Sequence, residues 1–79
     1  MSITIVVEGT EHPWHQNTIS YVEVVTLEVP NYAQNPQITY SVTYENGPGP
    51  KREGTIAPGV TGVKVKEGMV FHVSPTGQS

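Results

Sequence analysis

The stretch "ITYSVTY", Ile38 to Tyr44, constrains the fold more than any other part of this sequence. Bulky side chains alternate in it with threonine and serine, which is typical of a strand that has one buried face. We expect that face to consist of Ile38, Tyr40, Val42 and Tyr44. Such a strand needs partner strands and an apolar layer to cover it, so the rest of the chain must supply both.

The start of the chain predicts a hairpin. The run "ITIVV", Ile3 to Val7, is rich in β-branched residues and is typical of a buried strand. A turn at Gly9 leads to a second extended segment, Glu11 to Gln16. Pro13 restricts this second strand to a sheet edge, because proline donates no ladder hydrogen bond.

The C-terminal half predicts short strands at Thr55–Ile56 and near Val63, followed by a strong last strand. In that strand we expect the inward side chains to be Met69, Phe71 and Val73, and the outward ones to be Val70 and His72. We expect the strand to end at Val73, since Pro75 would stop further ladder pairing. Ser74 to Ser79 are then expected to form a flexible tail.

The segment Asn17 to Pro30 is ambiguous between strand and helix. Its many β-branched residues favour a strand. Its ends favour a helix, because Ser20 and Glu23 have the spacing of a capping box and Pro30 marks a stop. On such a helix, one face would carry Val22, Val25 and Val29.

Size and charge limit the classes of function. The 79 residues allow one domain at most and a small core, and with no cysteine there is no disulfide to reinforce it. A net charge of −3 with four basic residues argues against nucleic acid or an anionic membrane as a partner. The sequence shows no targeting segment and no apolar run of membrane-spanning length, so we expect a soluble cytoplasmic protein.

Residues that could perform catalysis or bind a metal are not arranged for it. His12 and His15 are three apart on a predicted strand, so they point to opposite faces and cannot easily bind one ion. No nucleophile elbow or phosphate-binding loop is present, and the glutamates are scattered over loops and turns. We therefore expect neither a metal site nor an enzyme.

Three long segments together resemble a known family: "VVEGTEHPWHQNTISYVEVVTLEVP", "YSVTYENGPGPKREGTIAPG" and "VKVKEGMVFHVSPTGQS". They are similar to small bacterial ubiquitin-like proteins and multiubiquitin-type domains, which occur beside E1-, E2- and JAB-peptidase-like proteins. The resemblance implies an α+β fold, the ubiquitin-like β-grasp, with a mixed sheet of four to five strands packed on one helix. It places that helix at about Ser20 to Glu28, the domain at residues 1–73 and the flexible tail at residues 74–79.

The resemblance also implies a function as a protein modifier. An E1-like enzyme would activate the C-terminus with ATP, and an E2-like protein would pass it to target proteins, so the chain itself would bind no cofactor. The family's usual Gly-Gly end is missing here. We expect a JAB-type peptidase to remove Gln78 and Ser79, leaving Gly77 at the end of the extended tail Ser74, Pro75 and Thr76. The alternative is that Ser79 is the mature end. Antiviral defence is a setting for such bacterial clusters, although no residue here specifies it.

If a partner docks on the sheet, the candidates are Val70 and His72 with Val6 or Thr4, although ordinary surface positions would look the same. Lys51, Lys64 and Lys66 could accept further copies. Two other functions stay open: an adaptor that is never conjugated, and a structural subunit that self-assembles through its edge strands.

Overall fold

A computed structural model of the chain describes residues 2–32, 38–50, 52–59 and 62–76. These residues form one helix and seven strands. In chain order the elements are β1 (Ile3–Val7), β2 (Thr10–Trp14), β3 (Thr18–Ile19), α1 (Tyr21–Glu28), β4 (Tyr40–Glu45), β5 (Gly54–Ile56), β6 (Val63–Lys64) and β7 (Val70–Pro75).

Five of the strands form one mixed sheet in the order β2-β1-β7-β4-β5. β1 and β7 are parallel, whereas the other neighbours are antiparallel. The predicted N-terminal hairpin is confirmed, with Ile3 opposite Trp14 and Val7 opposite Thr10. Pro13 lies on β2, which is an edge strand as predicted.

The core lies between one face of this sheet and the helix. Its largest fully buried side chains include Phe71 from the last strand and Ile5 from the first. The predicted inward residues of the last strand are confirmed, since Met69 and Phe71 are fully buried and Val73 is nearly so. With one helix across a five-stranded mixed sheet, the fold is α+β and is the ubiquitin-like β-grasp.

The ambiguous segment contains a helix that begins with the predicted capping box. The backbone N–H of Glu23 donates to Ser20 Oγ at 3.2 Å, and the N–H of Ser20 donates to Glu23 Oε1 at 2.9 Å. These two bonds satisfy donors that a helix start otherwise leaves without partners. Burial of Val24 and Val25 in the core then stabilises a helix that propensity alone does not favour.

The predicted face of this helix is right for Val25, which is buried, and for Val29, which packs on the core, but it is wrong for Val22. Val22 is 54% exposed, and the buried side chains are Tyr21, Val24 and Val25. The reason lies in tertiary contacts. The hydroxyl of Tyr21 donates to the carbonyl of Tyr40 at 2.9 Å and accepts from its N–H at 3.0 Å. This pair of bonds turns the face that carries Tyr21 towards β4 and leaves Val22 in solvent.

The start of the clearest strand is also corrected. β4 begins at Tyr40, while Ile38 lies outside it and is 42% exposed. Tyr40, Val42 and Tyr44 do pack on or in the core, as predicted. Ile38 precedes the contact between Tyr21 and Tyr40 by two residues, so it lies beyond the part of the sheet that the helix covers.

The end of the last strand differs from the prediction as well. β7 continues through Pro75, so Ser74 and Pro75 belong to the sheet and not to a tail. The N–H of Thr76 points towards β4, and in an antiparallel pair the nitrogen of Pro75 must then point the other way. On that side β1 pairs with Val70 and Phe71, so within the described parts of the chain the missing N–H removes no ladder bond.

A second, two-stranded sheet was not predicted. β3 lies directly before the helix and pairs with β6, with Ile19 opposite Val63 and Thr18 opposite Lys64. The indole Nε1 of Trp14 donates to the carbonyl of Thr18 at 2.9 Å. This bond joins the end of the first hairpin to the small sheet.

Candidate functional site

The face of the sheet opposite the helix carries the residues that the sequence analysis proposed for partner binding. Val6 on β1 lies opposite Val70 on β7, and both side chains are partly buried. Glu11 lies opposite Val6 on one flank, and Glu45 lies opposite Val70 on the other. The register therefore produces a straight row across four strands, with two valines between two carboxylates.

His72 lies in the next row of this face and links three parts of the chain. Its Nε2 is 2.9 Å from Oε2 of Glu45 on β4, and its Nδ1 is 3.8 Å from Oε2 of Glu8. Across the sheet, His72 is opposite Thr43. Half of the His72 side chain is exposed, so the ring can contact a partner while the carboxylates orient it.

Glu8 occupies the turn of the first hairpin and also binds the last strand. Its φ is +49° and that of Gly9 is +81°, a pair of left-handed residues typical of a tight hairpin turn. The N–H of Glu8 donates to the carbonyl of Phe71 at 3.0 Å. Its Oε2 accepts from the N–H of Val73 at 2.8 Å. The Glu8 carboxylate thus takes the place of a backbone hydrogen-bond acceptor at the point where β1 ends.

The last described residues of the chain are bonded to β4. Ser74 lies opposite Ser41, and Pro75 lies opposite Tyr40. The N–H and Oγ1 of Thr76 both donate to the carbonyl of Thr39, at 2.9 and 3.1 Å. The chain therefore stays in the sheet up to the residue before Gly77.

The structure brings Val6, Val70 and His72 together on one face, with Thr4 on the same face of β1. The two described lysines, Lys64 and Lys66, lie outside the strands that form this face. Lys64 is exposed on β6 in the small sheet, and Lys66 is partly buried in the turn before β7. Lys51, Gly77, Gln78 and Ser79 lie outside the described residues.

Sequence reasoning missed Glu8 and Glu45 as part of this site. Glu45 could have been found, because it continues the outward alternation of Thr39, Ser41 and Thr43 on the clear strand. Glu8 gives no such signal, since its bond to Val73 joins residues 65 positions apart.

A shallow groove of about 400 Å³ borders His72 and Glu45 and extends to Thr55 on the edge strand. It is open to solvent and more polar than apolar, whereas small-molecule sites are usually enclosed and mostly apolar. A groove of this shape is suited to contact with another surface.

Within the described ranges, no three His, Cys, Asp or Glu side chains are grouped so that they could hold a metal ion. His12 is partly buried on the edge strand, and His15 is exposed just after it. In the same part of the chain, no helix has the length and apolar character needed to cross a membrane.

Comparison with known families places this chain. The family model for multiubiquitin matches residues 3–77. The chain belongs to the multiubiquitin family. No curated protein and no solved structure matches it.

The match agrees with the predicted resemblance to multiubiquitin-type domains and with the β-grasp topology, and it includes Ser74 to Gly77. For this multiubiquitin domain, the association with E1-, E2- and JAB-like proteins stays a prediction.

Proposed function

We propose that this multiubiquitin-family domain is a cytoplasmic protein modifier whose C-terminal carboxylate is joined to target proteins. The family match over residues 3–77 carries the proposal. The domain contributes a carboxylate that other proteins can reach and a face that they can recognise. ATP and the catalytic groups belong to its partners.

The chemistry requires one hydrolysis, one adenylation and two acyl transfers. A JAB-type peptidase hydrolyses the Gly77–Gln78 peptide bond, which gives a new carboxylate and releases the dipeptide Gln-Ser. An E1-like enzyme joins that carboxylate to AMP from ATP and releases pyrophosphate. The acyl group then passes to an E2-like protein as an ester, which releases AMP. An amine of the target attacks this ester, which releases the E2-like protein and forms an isopeptide bond. Glycine suits this end because it has no Cβ to obstruct attack on its carbonyl.

Recognition by these partners uses the face that carries Val6, Val70 and His72. Two features support this role: the two valines are adjacent and partly exposed, and the histidine ring is oriented by Glu8 and Glu45. Val70→Arg should weaken binding to the E1-like protein in a direct binding measurement. Val22→Arg is the matched control, since Val22 is also a valine, is 54% exposed and lies on the helix, on the other side of the sheet.

Intact mass spectrometry tests the modifier function directly. The domain is co-expressed with the E1-, E2- and peptidase-like proteins of its source. We expect loss of the mass of Gln-Ser, followed by larger adducts that depend on ATP. Gly77→Val should abolish the adducts, whereas Ser79→Ala, a change in the same segment but away from the cleaved bond, should not. An unchanged full-length mass under all conditions would refute processing.

A non-conjugated adaptor is the second candidate, and one observation favours it. Backbone pairing through Pro75 and the bonds of Thr76 hold the chain in the sheet up to the residue before Gly77. An adaptor would keep its partner binding and cellular function after deletion of residues 77–79, whereas a modifier would lose its function.

Self-assembly through edge strands is less well supported. The edge strand β2 contains Pro13, and the opposite edge β5 has only three residues, two features that limit edge-to-edge pairing. We expect light scattering to report a monomer across a wide concentration range.

Copies of the domain could also be joined to one another. Lys64 is exposed and Lys66 is partly buried, so Lys64 is the better acceptor of the two described lysines. Peptide mass spectrometry of the adducts would locate the linkage at Lys64, Lys66 or Lys51, and Lys64→Arg should reduce chain formation if Lys64 is used.

A further inference from the structure

We propose that Ser74, Pro75 and Thr76 form a releasable latch that must leave the sheet before an enzyme can act on Gly77. This inference rests on the proposed modifier function, because it concerns access to the same carboxyl group. It adds a conformational step before processing and activation.

Hydrogen bonds to one neighbouring strand hold the latch. The carbonyl of Thr39 accepts both the N–H of Thr76 at 2.9 Å and its Oγ1 at 3.1 Å. The backbone pairs are Ser41 with Ser74 and Tyr40 with Pro75. On the other side, β1 pairs with β7 at Val70 and Phe71, so among the residues that the structure describes the latch has one neighbouring strand and not two.

Burial does not hold the latch. Its three residues are all exposed, whereas Phe71 has 0% and Val73 has 8% of its surface exposed. Release of the latch therefore breaks hydrogen bonds but exposes little apolar surface. Each net hydrogen bond shifts such an equilibrium by between about twofold and tenfold. Release is thus possible by local opening, without unfolding of the domain.

The reach of the chain makes release necessary. Thr76, the last residue bonded to the sheet, directly precedes Gly77 in the sequence. An enzyme that encloses the Gly77 carbonyl also has to enclose the residues before it. Releasing three residues adds about 10 Å of extended chain, at about 3.3–3.6 Å per residue. This extra length separates Gly77 from the residues that stay in the sheet.

Glu8 sets the point at which release stops. Its carboxylate accepts from the N–H of Val73 at 2.8 Å, directly before the latch. Its own N–H donates to the carbonyl of Phe71. Glu8 therefore binds the strand on both of these residues, and separation of the latch from β4 does not extend past Val73.

Hydrogen exchange measured by NMR on the full chain tests the latch without any partner enzyme. The matched reference is the amide of His72, which faces the same neighbouring strand as the amide of Thr76. We expect the Thr76 amide to exchange about tenfold more slowly than an unprotected amide. We also expect it to exchange at least about a hundredfold faster than that of His72. A Thr76 amide that exchanges at the unprotected rate, or as slowly as that of His72, would overturn the proposal.

A reversible disulfide crosslink tests whether the latch must be released before processing and conjugation. Thr39 and Thr76 are directly opposite each other and form a hydrogen-bonded pair, whose Cα separation of about 5.5 Å is within the range for a disulfide. The natural chain has no cysteine, so the double variant Thr39→Cys/Thr76→Cys has a single possible intramolecular disulfide. With the E1-, E2- and peptidase-like proteins, the oxidised form should be processed and conjugated at least about tenfold more slowly than the reduced form.

The outcomes separate the two proposals. Equal rates for the oxidised and reduced forms would overturn the latch and leave the modifier function supported. No product from either form, or from the natural sequence, would overturn the modifier function, and hydrogen exchange would then decide whether the latch exists.

Discussion

The two halves of strand β7 are held in the same sheet by different forces. Val70 and Phe71 pair with both β1 and β4, the N–H of Val73 donates to Glu8, and Phe71 and Val73 are buried on the helix side of the sheet. Ser74 and Pro75 continue the same strand, but they are exposed and have β4 as their strand neighbour. This single strand therefore has one half that is held by burial and another half that is held by backbone hydrogen bonds.

This difference matters because burial and backbone hydrogen bonding contribute different amounts of free energy. Burying a large apolar side chain contributes about 1.5–3 kcal/mol, whereas a net hydrogen bond contributes about 0.5–1.5 kcal/mol. The first half should therefore open only when the whole domain unfolds, and the second half should open locally. For the proposed modifier function, the less stable half is the useful one.

The largest effect is expected from Phe71→Ala in the buried half. Phe71 is fully buried, and its ring lies 6.3 Å from that of Tyr44, measured between centroids. We expect a loss of about 3–5 kcal/mol in the free energy of unfolding. Denaturant titration measures this loss, with Val70→Ala on the opposite face as the control. A loss below about 1 kcal/mol would contradict the burial of Phe71 and, with it, the comparison.

A smaller loss of stability is expected from Tyr21→Phe, because Tyr21 binds the residue of β4 that lies opposite the exposed half of β7. The change leaves the N–H and carbonyl of Tyr40 without the hydroxyl that binds both, and Tyr40 is the residue opposite Pro75. We expect a loss of about 1–3 kcal/mol. Hydrogen exchange should accelerate more at Thr76 than at His72. Tyr44→Phe is the control, because Tyr44 lies on the same strand as Tyr40. Equal acceleration of exchange at the Thr76 and His72 amides would argue against two separate halves of β7.

The boundary between the halves is tested by a matched pair at Glu8. Glu8→Gln keeps an oxygen at the same reach, whereas Glu8→Asn tolerates the left-handed backbone but is too short to reach Val73. We expect about 1 kcal/mol of local destabilisation from the asparagine variant, seen as faster exchange of the Val73 amide. The glutamine variant should change this rate little. If both variants behave alike, Glu8 does not set the boundary.

The smallest effect concerns Tyr32, whose ring packs edge-on against Tyr40 at 5.7 Å between centroids. Burial, and then the neighbouring Tyr21 and Tyr40, raise the pKa of Tyr32 above its usual value of 10.0. The folded domain therefore keeps the proton at a pH where the unfolded chain loses it. Stability should be unaffected below pH 10 and fall as the pH rises through the folded-state pKa. Tyr32→Phe should reduce this dependence in thermal unfolding followed above pH 9.

Local pattern was sufficient for several parts of the fold. The capping box gave the position of the helix start at Ser20, since its two bonds join residues three apart, but local pattern left the segment open between helix and strand. Proline placed β2 at an edge. Alternation assigned the inward faces of β4 and β7, because successive side chains of a strand point to opposite faces. The outward positions of Val6, Val70 and His72 follow from the same rule, and so this much of the candidate site was predictable.

Other parts depended on neighbours that are distant in sequence. The helical face was mispredicted at Val22 because Tyr21 bonds to Tyr40. The small sheet was missed because two-residue strands have no periodicity to detect. The contribution of Glu8 to the site was missed because its partner lies on the last strand.

Pro75 shows most clearly which features of the fold follow from the sequence and which depend on the tertiary structure. The sequence by itself determined that this residue lacks an N–H, that a strand precedes it, and that a β-grasp domain of the multiubiquitin family leads to Gly77. Only the tertiary structure decided that the missing N–H faces the side where β1 has already ended, so that the strand continues. The physical reason is that a proline disrupts a sheet only when a neighbouring strand needs its hydrogen bond, and the position of that neighbour is set by the whole fold.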